Sequence, residues 1–152
     1  MEELFNLIKA FILDDVNEVL PDFEDSSVEL PSFADKNIVF GAVDLQKNAQ
    51  NVVCAILPEE ETEDDGYING ANASHQFTVA FLVRNAVYET LVKRMCRYAS
   101  AFRRALFNNP DFDAQVEDIE IGERRFFYDA GAVEKQCCIV EISLTIFTTE
   151  EI

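Results

Sequence analysis

Few residues in this 152-residue chain could do chemistry, and they lie far apart. One histidine, His75, stands just before an alternating apolar segment. Imidazole is the usual general base near neutral pH, but a single histidine at the margin of a strand is more often solvated or structural. Four cysteines, Cys54, Cys96, Cys137 and Cys138, lack metal-ligand spacing. Cys137 and Cys138 are adjacent. Neighbours on a strand point to opposite faces, so these two are poorly placed to pair with each other. All four read as free thiols of a reducing compartment. Nucleophile-elbow, phosphate-loop, zinc-protease and Cys-x-x-Cys patterns do not occur. The five glycines are too scattered to cradle a phosphate. These features predict no enzyme, no cofactor and no metal.

Two charged constellations remain. Glu59-Glu60-Glu61-Thr62-Glu63-Asp64-Asp65-Gly66 is almost all carboxylate. Clustered carboxylates can hold a divalent cation, but the run lacks the alternating pattern of a calcium loop. Like charge at this density repels and keeps a segment extended. That predicts an acidic, mobile loop over 59–74 facing a partner or an opening. The second constellation is basic. At about 100° per residue, Lys93, Arg97 and Arg104 fall on one side of a predicted helix, flanked by Arg94 and Arg103. Either this stripe is a solvated face, or it meets acids on a neighbour, such as the acidic loop of another copy.

The elements that must carry these groups follow from hydrophobic period. Leu4, Ile8, Phe11, Ile12, Val16 and Val19 recur at helical spacing up to Pro21. Residues 22–36 read as a loop with little regular structure, and Ile38–Val43 as a short extended piece broken at Gly41. Asn51–Leu57 is a strand ended by Pro58. Gln76–Arg84 alternates, with Phe77, Val79, Phe81 and Val83 on one face. Between Ala86 and Phe107 a helical stripe of Val87, Leu91, Met95, Tyr98, Phe102 and Leu106 precedes Asn108-Asn109-Pro110. Two closing strands follow, Val116–Tyr128 and Lys135–Thr148, joined at Asp129-Ala130-Gly131. The second puts Cys138, Val140, Ile142, Leu144 and Ile146 on one face. If unbroken it spans roughly 45 Å, long for a domain of this size.

The order α-β-β-α-β-β predicts a single α+β domain over 1–152, with two helices packed on a four-stranded, mostly antiparallel sheet. The apolar content of 49% is enough to bury a core without disulfide or metal. No apolar run reaches a membrane span, and the acidic start Met1-Glu2-Glu3 is unlike a secretory signal. Twelve Lys and Arg against twenty-nine Asp and Glu give a net charge of −17. Such a field opposes binding to nucleic acid.

This element order resembles the tail terminator proteins of long-tailed bacteriophages. So do Ile38-Val39-Phe40-Gly41, the run from Gln76 to Arg84 leading into Val87-Tyr88-Glu89, and the helix continuing through Tyr98, Ala99 and Leu106. The resemblance implies a homo-oligomeric ring, a hexamer, at the head-proximal end of a virion tail and made in the host cytoplasm. It would cap the tail tube and contact tube protein, head connector and possible sheath protein. It implies no cofactor and transfers no site residues. Other neck, tail-completion or baseplate adaptors share the layout. A small acidic enzyme or a DNA-mimicking inhibitor is the reading of a different class.

Overall fold

A computed structural model describes residues 2–43, 50–64, 70–128 and 137–151. The N-terminal helix buries its predicted stripe, from Leu4 through Ile8, Phe11, Ile12 and Val16 to Val19. It is α-helical over Glu2–Phe11, π-helical over Ile12–Val16 and α-helical again over Asn17–Val19. A 3₁₀ turn at Leu20–Phe23 contains Pro21 and closes it. The long helix spans Tyr88–Asn108. Its buried stripe is Leu91, Met95, Tyr98, Phe102 and Leu106, whereas Val87 precedes the helix and is 69% exposed.

The helices cover one face of a mixed sheet. Its strands are β1 (Ile38–Phe40), β2 (Val52–Asp64), β3 (Gly70–Arg84), β4 (Asp118–Phe127) and β5 (Cys137–Glu151). The order across the sheet is β1-β2-β3-β5-β4. Four strands and a mostly antiparallel sheet were expected, but not that β3 would pair with β5. The fifth, β1, pairs parallel with β2, Ile38 opposite Cys54. Three residues are too few to show a period, so the sequence marks β1 only as an extended piece. Gly41, at φ 109°, turns the chain out of β1 where an L side chain would be strained.

β3 and β5 are 15 residues each and pair throughout, from Gly70 opposite Glu151 to Arg84 opposite Cys137. At the usual rise each spans roughly 50 Å. The covered face carries Cys54, Ile56, Phe77, Val79, Phe81, Val83, Val140, Ile142 and Leu144 under the helices. Phe81 and Phe102 meet edge to face at 5.8 Å, and Phe81 stacks with Tyr98 at 5.8 Å. Val53, Leu82 and Cys137 form a smaller cluster on the other face, so Cys137 and Cys138 do point opposite ways.

Residues 24–34 carry little regular structure, as expected, and form a strap that buries Val28, Leu30 and Phe33 in the core. The Asn17 amide anchors this strap by donating to the Phe33 carbonyl at 2.8 Å and accepting from the Phe33 N–H at 2.8 Å. The acidic segment 59–74, in contrast to the expectation, is not one loop. β2 passes Pro58 with a register shift between Pro58 and Glu60, then continues to Asp64 opposite Asn72. Backbone pairing with β3 outweighs charge repulsion there, because the carboxylates of Glu59, Glu60 and Glu61 stay exposed to water. Asp65 and the Asp129-Ala130-Gly131 turn lie outside the described residues.

Candidate functional site

The basic stripe has three different fates. Lys93 pairs with Glu89 one turn earlier, at 3.1 Å on the surface. Arg97 turns inward on its own chain, donating to Asp25 Oδ2 at 2.9 Å and to the Phe23 carbonyl at 3.0 Å. Arg94 likewise donates to the Glu29 carbonyl at 2.9 Å. These contacts latch the strap 22–33 onto the long helix. The Arg97 guanidinium holds the Asp25 carboxyl well below the usual carboxylate range, with Ser27 adding hydrogen bonds. Arg104 lies over the Phe23 ring, 5.7 Å from its centroid, a cation–π contact.

Past Arg97 the helix face opens. Ser100, Arg103, Arg104 and Phe107, on one side of the helix, line a surface groove of about 400 Å³ with Phe23 and with Arg124 of β4. Phe107 is 84% exposed. Among the described residues Arg103, Arg104 and Arg124 make no ion pair, while Lys9, Lys93, Arg97 and Arg125 each have one. The spacing of 100, 103, 104 and 107 was available in the sequence. Arg124 was not, because its place beside the helix depends on the β4–β5 register.

β4 is the edge of the sheet, and its outer side has no strand partner among the described residues. Arg124 opposes Ile142 and Phe126 opposes Val140, so both lie on the helix-covered face next to the groove. Phe126, Phe127 and Tyr128 are 37%, 41% and 52% exposed. Arg124 and Phe126 thus extend the groove along the helix-covered face of β4, whereas Phe127, opposite Ile139, lies on the other face. On the far side of β5 and β3, the acidic run of β2 offers Glu59, Glu60 and Glu61. The side chains of Glu63 and Asp64 lie outside what the structure describes.

His75 is only 3% exposed. Its Nε2 is 3.0 Å from Thr148 Oγ1, and its Nδ1 is 2.9 Å from Glu61 Oε1. The Nδ1 approach is off the hydrogen-bonding direction, so the Glu61 contact is an ion pair only when the ring is protonated. Carboxylate, imidazole and hydroxyl stand in the order of a hydrolytic triad. Here they join β2, β3 and β5 around a buried imidazole.

A second surface hollow, lined by Asp15, Glu18, Asp22, Asp113, Asn108 and Asn109, is acidic. Burial raises the Asp15 carboxyl, and the Asn109 amide donates to it at 3.1 Å. No cluster of three or more metal-ligating side chains occurs among the described residues. No helix of the described residues is long and apolar enough to cross a membrane.

No protein-family model matches the chain, and no curated protein matches its sequence. Among solved structures it is similar to the sheath/tube terminator of an extracellular contractile injection system, PVC, in its extended state, determined by cryo-EM. The TM-score is 0.42 at 9% identity, over 94% of this chain and 57% of that one. The chain therefore spans little more than half the length of that structure.

Proposed function

We propose that this chain is a structural subunit that closes into a hexameric ring and terminates a tail tube, joining it to a head connector and to sheath where one is present. The observation that carries the reading is the β4 edge. A ten-residue strand offers unpaired backbone groups beside three exposed aromatic residues, Phe126, Phe127 and Tyr128. An exposed strand edge is a ready template for pairing with another chain. An interface stable in solution buries on the order of 1,200 Å² or more, and a small domain meets that on two sides only through extended elements. β3 and β5 are such elements, and β4 lies against β5 at the rim. The element order met in the sequence agrees with terminators, and the net charge of −17 suits a protein past which a polyanion must slide without sticking.

The test is electron microscopy of the purified chain, alone and with assembled tail tubes of the same source. The reading expects closed six-fold rings with a central opening, seated on one end of the tubes. Globular monomers that ignore tube ends refute it.

A further inference from the structure

We infer that the groove formed by Phe23, Arg103, Arg104, Phe107 and Arg124 receives the acidic end of β2, through Glu59 and Glu60, from a second copy of this chain. The inference deepens the ring reading and rests on it.

The chain has only twelve cationic residues against twenty-nine acidic ones. Most of the cations described pair with a carboxylate or a backbone carbonyl. Arg103, Arg104 and Arg124 converge on one groove with no carboxylate among its lining residues. Three guanidinium groups held together cost Coulomb energy that an incoming carboxylate run relieves. Beside them Phe107 projects into water at 84% exposure. An aromatic flanked by arginines is the usual make-up of an anchor point in a protein interface.

The complement is present on the same chain but cannot reach the groove within it. Glu59, Glu60 and Glu61 belong to β2, and the groove lies at β4, with β3 and β5 between. Three strand spacings separate them by roughly 14 Å across the sheet. The donor and acceptor surfaces therefore lie toward different edges of the sheet. A contact between them is head-to-tail, the kind that closes into a ring when the rotation per subunit divides the circle. Strong like charge pushes copies apart, so association needs a local opposite-sign contact, and this groove supplies it. Nucleic acid is the wrong occupant, because the surrounding field of −17 repels phosphate at a distance.

The experiment is sedimentation velocity of the full chain at low salt, with circular dichroism as the folding control. Four proteins are compared with the parent: Arg104→Glu/Arg124→Glu, Glu59→Arg/Glu60→Arg, the combination of all four changes, and Phe107→Ser. Both charge-reversed doubles should fall to monomer, and the combined variant should reassemble because the attraction is restored with its sign exchanged. Phe107→Ser, altering an exposed side chain that the fold does not need, should weaken association at least tenfold. A parent that assembles while Arg104→Glu/Arg124→Glu assembles equally well overturns the groove and leaves the ring. Loss in the groove double without recovery in the combined variant overturns the β2 run as its occupant. Unchanged association of Phe107→Ser overturns the anchor. A parent that is monomeric throughout overturns the ring reading and the groove together.

Discussion

Arg97 holds Asp25 at 2.9 Å across 72 residues of sequence, and this pair fastens the strap after the N-terminal helix to the middle of the long helix. A residue that looked like an outward-facing interface cation is thus an internal latch. The consequence is practical: reversing Lys93, Arg97 and Arg104 together would unfasten the strap, and a lost interface could not be told from a loosened fold. Arg103, Arg104 and Arg124 are the cations to change instead.

The latch has a pH signature. Arg97, and after it Ser27, depress the Asp25 carboxyl in the folded chain, whereas an unfolded aspartate titrates near 3.9. A depressed carboxyl contributes its stabilisation above the unfolded value and loses it as pH falls through the lower folded value. Carboxyl NMR titration should find Asp25 still ionised at about pH 3, and Arg97→Ala should return it to the ordinary range. Hydrogen exchange in residues 24–30 should quicken in the same variant. An Asp25 that titrates normally in the parent contradicts the latch.

The core prediction concerns the aromatic stack. Phe81 and Phe102 are both fully buried and in contact. Replacing either with alanine should cost about 3–5 kcal/mol in urea unfolding. A cost below about 1 kcal/mol would place them outside the core.

Asn17→Ala removes both hydrogen bonds that the side chain makes to the Phe33 backbone. It should cost about 1–3 kcal/mol, because the Phe33 amide is then left without its partner. An unchanged midpoint would mean that Val28, Leu30 and Phe33 hold the strap by packing alone.

Thiol reactivity separates the four cysteines. Cys54, Cys137 and Cys138 are buried and Cys96 is exposed. Burial pushes the Cys54 and Cys137 thiols up, away from the reactive thiolate. With a thiol-specific chromogenic reagent, one group per folded chain should react quickly and all four after unfolding. Two fast groups would contradict the placement.

Much of this was legible in the chain, for identifiable reasons. Long apolar periods announce themselves, so the two helices and the inward faces of β3 and β5 agree with their spacing, Val87 at the start of the long helix excepted. Short or locally neutral features do not. β1 is three residues long, and the strap 24–34 buries only Val28, Leu30 and Phe33 at irregular intervals. Left-handed backbone at Phe112, Asp113 and Ala114, with φ of 50°, 57° and 64°, has no glycine to signal it. There the Asn109 and Asp111 side chains accept from the Asp113 and Ala114 amides and fix the turn. The acidic run misled because composition speaks of solvation, not of pairing: exposed carboxylates and a hydrogen-bonded backbone coexist on β2. The groove combines one readable helix face with Phe23 and Arg124, whose positions only tertiary structure supplies.

Ring closure is tested most directly by native mass spectrometry of the full chain at low ionic strength over a range of concentrations. A closed six-membered ring gives one dominant species at six times the chain mass of 17.2 kDa, giving way to monomer as salt screens the contacts. A single peak at 17.2 kDa under every condition, with the protein folded, would contradict it.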